Sequence, residues 1–175
     1  MQQRMSWFDR QLKKCAGNEM FIEGLASQTI VRDAPRIFKD LMSHSVNIEA
    51  YAKYFIDPNY GANKFMQCLT MCCQTKMRKY SFEYNACLKT LTDWPNEQAA
   101  EYAKVGRAFD LNDPAIQEQL SFMSMITDEN KNLYFAYNTV LQELVNLANT
   151  KDPSFLVALG SKLQSYRQYL LNEGN

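Results

Sequence analysis

Residues 66–91 read MQCLTMCCQTKMRKYSFEYNACLKTL. Within them Met66, Leu69, Cys73, Met77, Tyr80, Tyr84, Cys87 and Leu91 recur at every third or fourth position. An α-helix turns once in about 3.6 residues, so this spacing gathers all of them on one face. A half-buried strand would alternate at every second residue instead. The stretch is thus a long helix with one buried stripe, and the rest of the chain can be read outward from it.

The five prolines supply the punctuation. They stand in RDAPRIF, FIDPNYG, TDWPNEQ, LNDPAIQE and TKDPSFL, and each has an aspartate one or two residues upstream. An aspartate carboxylate accepts a hydrogen bond from an unpaired backbone N–H at a helix start. Proline fits the first helical turn, where a missing N–H costs nothing. Five such signals predict six helical segments, at about residues 6–27, 35–56, 59–91, 95–109, 114–148 and 153–171. The fifth carries Ile116, Leu120, Met123, Ile126, Leu133, Tyr137, Leu141 and Leu144 as its stripe. Asn130 occupies the step between Ile126 and Leu133, so a break or kink is expected near DENKN, residues 128–132. The sixth carries Leu156, Leu159, Leu163, Tyr166 and Leu170.

The expected fold is all-α: an elongated bundle of five or six helices, two of them longer than 30 residues. Residues 1–58 read as an N-terminal helical arm or hairpin and residues 59–175 as the main bundle, unless 1–175 form one continuous domain. Only 6 glycines and 5 prolines in 175 residues leave few tight turns, which argues against an all-β fold. A chain of this length buries enough surface to fold without disulfides or metals.

The three cysteines of CLTMCCQ, residues 68–74, invite a metal or redox reading. Cys68 and Cys72 are one helical turn apart, and Cys15 or Cys87 could fold over them. Neither the C-x₂-C knuckle of zinc sites nor a C-x-x-C redox pair occurs. Free cysteine packs well in cores, and packing is the reading adopted, with no metal and no cofactor expected. His44 is the only histidine, which makes a catalytic triad improbable. No glycine-rich phosphate loop and no Glu-x-x-His pair of the di-iron bundles is present. Nothing singles out a pair of catalytic carboxylates. A non-enzymatic protein is expected, with an enzyme of unknown type as the remote alternative.

Formal net charge is zero, but residues 1–92 hold 13 Lys+Arg against 8 Asp+Glu, and residues 93–175 hold 6 against 11. This is too weak for a nucleic-acid binder, which would show a basic stripe. No uncharged run exceeds the 11 residues of 65–75 and 132–142, short of the roughly 20 needed to span a bilayer. The charged stretch MQQRMSWFDRQLKKC has no apolar core of the secretory kind, and an odd cysteine count fits free thiols. An intracellular, reducing compartment is expected.

Ten tyrosines, ten phenylalanines and nine methionines make large, adaptable apolar surfaces. Such surfaces are favoured where proteins meet. Two helices of more than 30 residues need more partner surface than one thin bundle offers. The expectation is an assembly subunit, homo- or hetero-oligomeric, that packs its third and fifth helices against partner helices. Met66, Met77, Tyr80, Tyr84, Tyr134, Phe135 and Tyr137 are the candidate partner-binding residues.

The stretch LYFAYN, residues 133–138, resembles the LYF-x-x-D-N stretch of the peroxin-11 family, helical proteins that bind and elongate peroxisomal membranes. YGANKFMQ, with Gly61 and Lys64, is similar to that family's GRDKxxR segment, and AKVGRAF, with Lys104 and Arg107, to its ARxxxR segment. The Asp of the first motif is absent, and Ala62 stands where the second has Arg. The resemblance implies a membrane-surface or membrane-remodelling role, with peripheral association to an anionic membrane or an organelle. Contact would fall to the basic face of Lys64, Lys76, Arg78 and Lys79, and Cys72 or Cys73 could carry a lipid. Lys and Arg on the polar face with bulky apolar groups opposite is how an interfacial helix is built.

Overall fold

The computed structural model describes residues 62–173, and these are helical throughout apart from their connections. Two long helices come first, α1 (Ala62–Lys104, 43 residues) and α2 (Pro114–Thr150, 37 residues). At 1.5 Å per residue they extend for about 65 and 55 Å. A third helical layer follows, made of α3 (Ser154–Leu163), a 3-10 turn (Gln164–Tyr166) and α4 (Arg167–Asn172). The expected helices over residues 6–27 and 35–56, the arm 1–58, Cys15 and His44 lie outside the described residues. Among the described residues no helix is long and apolar enough to cross a membrane.

The pairing of α1 with α2 is antiparallel. Cys87 meets Asn130, and Tyr80 stacks on Tyr137, so seven residues back along α1 match seven forward along α2. The third layer then reverses against α2, since Lys162 pairs with Glu143 and Glu173 reaches Tyr137. The core sits where all three layers overlap. Buried there are Leu69, Cys72, Cys73 and Tyr80 of α1, Tyr137, Val140, Leu144 and Leu147 of α2, and Leu156, Leu159 and Leu163 of α3, with α2 in the middle. At the far end α1 and α2 form a two-helix hairpin without a third layer, and its side chains are mostly exposed or half-buried.

Three sequence expectations change. The helix predicted to end before Pro95 runs through it, so residues 59–91 and 95–109 are not two helices. Proline removes one intrahelical bond and crowds the preceding turn, but a neighbouring contact offsets part of that cost. Trp94 and Tyr102 lie eight residues apart on one side of α1, and Phe109 packs edge-on against both, at 6.3 and 5.4 Å. The helix ends earlier than expected, at Lys104. There Gly106 takes a left-handed φ of 71°, and the Arg107 N–H closes onto the Tyr102 carbonyl at 2.9 Å. This is the usual role of a glycine just beyond a helix.

The break expected near DENKN does not occur. Asn130 is buried, but its amide donates back to the Ile126 carbonyl at 3.1 Å and lies 3.7 Å from Cys87 Sγ. A buried polar group that is hydrogen-bonded can stay in a core without breaking the helix. The third change is a count. Residues 59–175 were expected to form four helices, and the described part has three helical layers, the last one jointed. The prediction of two helices longer than 30 residues holds.

One aspartate signal behaves as read, and a second falls one residue short, with Pro153 rather than Asp152 at the cap position of α3. Asp113 caps α2 by accepting the Ala115 N–H at 2.9 Å, with Pro114 at the first helical position. Asp152 accepts the Ser154 N–H at 3.0 Å at the start of α3. Just before it, Lys151 turns the chain in a left-handed conformation at φ 57°.

Candidate interaction site

The third layer ends on a carboxylate. Glu173, the residue after α4, reaches back between α1 and α2. Its Oε1 accepts a hydrogen bond from the Tyr80 hydroxyl and lies 2.8 Å from Lys76 Nζ, and its Oε2 accepts from the Tyr137 hydroxyl. The two phenol rings stack with centroids 5.9 Å apart. Lys76 and Glu173 keep only 13% and 8% of their side chains exposed, so this ion pair is shielded from salt in a way surface pairs are not. Burial, followed by the bond to Glu173 and its charge, pushes the Tyr80 hydroxyl well above the ordinary phenol range. Burial does the same for Tyr137, with the Glu173 charge next and then the bond. Both phenols therefore act as donors, and the carboxylate as acceptor.

The cysteines next to this cluster are packed. Cys72 and Cys73 are buried. Burial raises Cys72 to about 12, with the Glu173 charge adding to the rise and Lys76 opposing it. Cys73 is raised well above the usual thiol range by burial and then by Cys72. Thiols held this far from ionisation are poor nucleophiles and poor metal ligands. Among the described residues no three His, Cys, Asp or Glu side chains are placed to hold a metal.

Among the described residues, no element covers the opposite edge of the α1/α2 pair. A hollow of about 570 Å³ lies between the helices, with Met77, Arg78, Ser81 and Phe82 on α1 and Tyr134 and Leu141 on α2. A second hollow of about 300 Å³ shares Ser81, Asn85 and Tyr134 with it and adds Tyr84, Lys131 and Phe135. The two make one continuous groove. Phe82 is 76% exposed, which is unusual for so large an apolar side chain, and Phe135 is 39% exposed.

The expected partner residues therefore divide. Met66, Tyr80 and Tyr137 are buried within the chain, so they are not available to a partner. Of the α1 stripe, Met66, Leu69, Cys73 and Tyr80 are buried within the chain, whereas Met77, Tyr84, Cys87 and Leu91 are only half-buried. Met77, Tyr84, Tyr134 and Phe135 are brought together along the groove. The basic face divides as well. Lys76 turns inward to Glu173, whereas Arg78 and Lys79 stay exposed, and the side chain of Lys64 lies outside the described residues.

No protein-family model, curated protein or solved structure matches the chain. The site is thus read from its own chemistry. Phe82, Ser81 and Leu141 were not among the sequence candidates, and Phe82 carries a signal that could have found it. It falls off the buried stripe of α1, between Tyr80 and Tyr84, where a solvated helix face would carry a polar residue.

Proposed function

We propose that this chain is a non-enzymatic interaction subunit that presents the α1/α2 groove to a helix of a partner protein. One observation carries the reading: the strongly exposed Phe82 stands on the rim of a groove that Met77, Tyr134 and Leu141 also line and that no other described residue fills. Exposed apolar surface gathered at a concave site, rather than scattered singly, is the mark of a contact surface. The third layer supports the reading, because it covers one side of the hairpin and leaves this edge bare.

Site-specific photo-crosslinking tests it. The full chain carries benzoyl-phenylalanine in place of Phe82, or in place of Glu118 on an exposed part of α2 as the control. It is expressed in its native cell and irradiated there. A discrete crosslinked species from position 82, weak or missing from position 118, is expected. Equal labelling at both positions, or none at 82, would defeat the proposal.

A further inference from the structure

Resting on that reading, we infer that the groove takes an acidic amphipathic helix from a different protein. Its dimensions suit a helix. It runs along α1 from Gln74 to Asn85, about 17 Å or three helical turns. Ser81 and Asn85 put short side chains between the walls, leaving room for larger ones to enter. The apolar walls fit the i, i+3, i+4, i+7 anchors by which an amphipathic helix docks in a groove.

The charge of the rim selects the partner. Arg78 stands on the α1 side and Lys131 on the α2 side, both exposed, and no carboxylate lines the groove among the described residues. Among the described residues neither cation has a carboxylate partner, and Arg78 donates to the Gln74 carbonyl of its own helix. The nearby acids lie elsewhere. Asp128 and Glu129 line a separate hollow against α4, Glu83 and Glu129 act on Tyr80, and Glu173 is committed to the buried cluster. Two unpaired cations flanking an apolar trough favour a helix with an apolar stripe and glutamates or aspartates beside it.

The same two cations argue against a second copy of this chain. A symmetric dimer brings the same patch together on both subunits, so Arg78 and Lys131 would face one another's counterparts across the seam. Like charges across an interface are costly. A flat lipid surface would meet the rims and leave the hollow between them unfilled.

The test measures binding of the purified full chain to fluorescent probe helices of about 16 residues with leucines at i, i+3, i+4 and i+7. One probe carries glutamates beside the leucines and the other carries lysines. The glutamate probe should bind at least about tenfold more tightly than the lysine probe. Arg78→Glu with Lys131→Glu should reverse that preference with helix content unchanged by circular dichroism. Phe82→Asp should weaken the glutamate probe by a similar factor. Equal affinity for the two probes, or binding that ignores these substitutions, overturns the inference. If crosslinking at position 82 persists in that case, the interaction-subunit reading survives alone; if it too is lost, both fall. Two further outcomes overturn the inference in favour of another occupant. One is sedimentation as a dimer that Phe82→Asp abolishes. The other is co-sedimentation with phosphatidylserine-containing phosphatidylcholine vesicles that the double charge reversal abolishes.

Discussion

Glu173 joins three helical elements through a single carboxylate, bonded to Tyr80, Tyr137 and Lys76. Replacing it by alanine leaves two buried phenols without their acceptor and a largely buried ammonium without its counter-charge. Breaking such a pair from one side costs about 3 kcal/mol, less what water recovers by reaching Lys76. Tyr137→Phe removes only one donor, and the carboxylate keeps Tyr80 and Lys76, so about 1.5 kcal/mol is expected. Urea unfolding of both variants checks the order; equal midpoints for Glu173→Ala and wild type would show that the cluster contributes nothing. Glu143 is a second buried carboxylate, with Lys162 on Oε1 and no protein partner on Oε2. Neither acid is legible from the sequence. A glutamate in a helical pattern reads as solvated surface, and only the return of the third layer along α2 encloses these two.

Caps and stops set the helices, and here the sequence is read most directly. Asp113 caps α2 as its Asp-Pro context indicates, because capping depends only on residues a few positions apart. Asp113→Ala should cost about 1 kcal/mol, seen as a lower thermal midpoint with an unchanged folded spectrum. Asp93-Trp94-Pro95 carries a similar local signal and yet lies inside α1. Phe109 packs there on Trp94 and Tyr102, a contact from beyond the helix that a local pattern does not show. Pro95→Ala restores a backbone donor and removes a clash, so it should raise stability, by up to about 3 kcal/mol. A fall in thermal midpoint would mean instead that the aromatic cluster depends on the proline. Gly106 is the opposite case: the segment expected to run to about residue 109 stops at Lys104, and the left-handed glycine just beyond it is the local signal the stripe reading passed over.

For the molecule as a whole, the buried protonated groups set how stability varies with pH. Cys72, Cys73, Tyr80 and Tyr137 all hold their protons more tightly folded than unfolded. The native state therefore binds more protons, and stability falls as pH rises. Their contribution is complete below about pH 8.5, where unfolded thiols begin to ionise, and the tyrosines steepen the loss above about pH 10. Each group adds a slope of about 1.4 kcal/mol per pH unit while only its unfolded form titrates, and for Cys72 this continues to about 12. Urea midpoints measured from about pH 7 to about pH 10.5 should decline progressively, and less steeply in Cys72→Ala/Cys73→Ala. A flat profile would mean that these groups reach water in the folded state. At this scale the candidate site also separates from its sequence reading. The stripe of α1 identified a face to be covered, while the groove, open among the described residues, runs along the edge of that stripe and takes Met77 and Tyr84 from it.

By itself the sequence determined what depends on near neighbours: helices rather than strands, two of them long, an aspartate capping α2, and an apolar stripe on each. Periodicity and capping act over a few residues, so they can be read from the chain directly. The tertiary structure decided what covers each face. It placed Tyr80 and Tyr137 inside and Phe82 outside, turned Lys76 from a basic surface toward Glu173, and carried α1 through Pro95. Those outcomes rest on contacts between residues far apart in sequence, such as Lys76 with Glu173, and no local pattern encodes which distant side chain arrives.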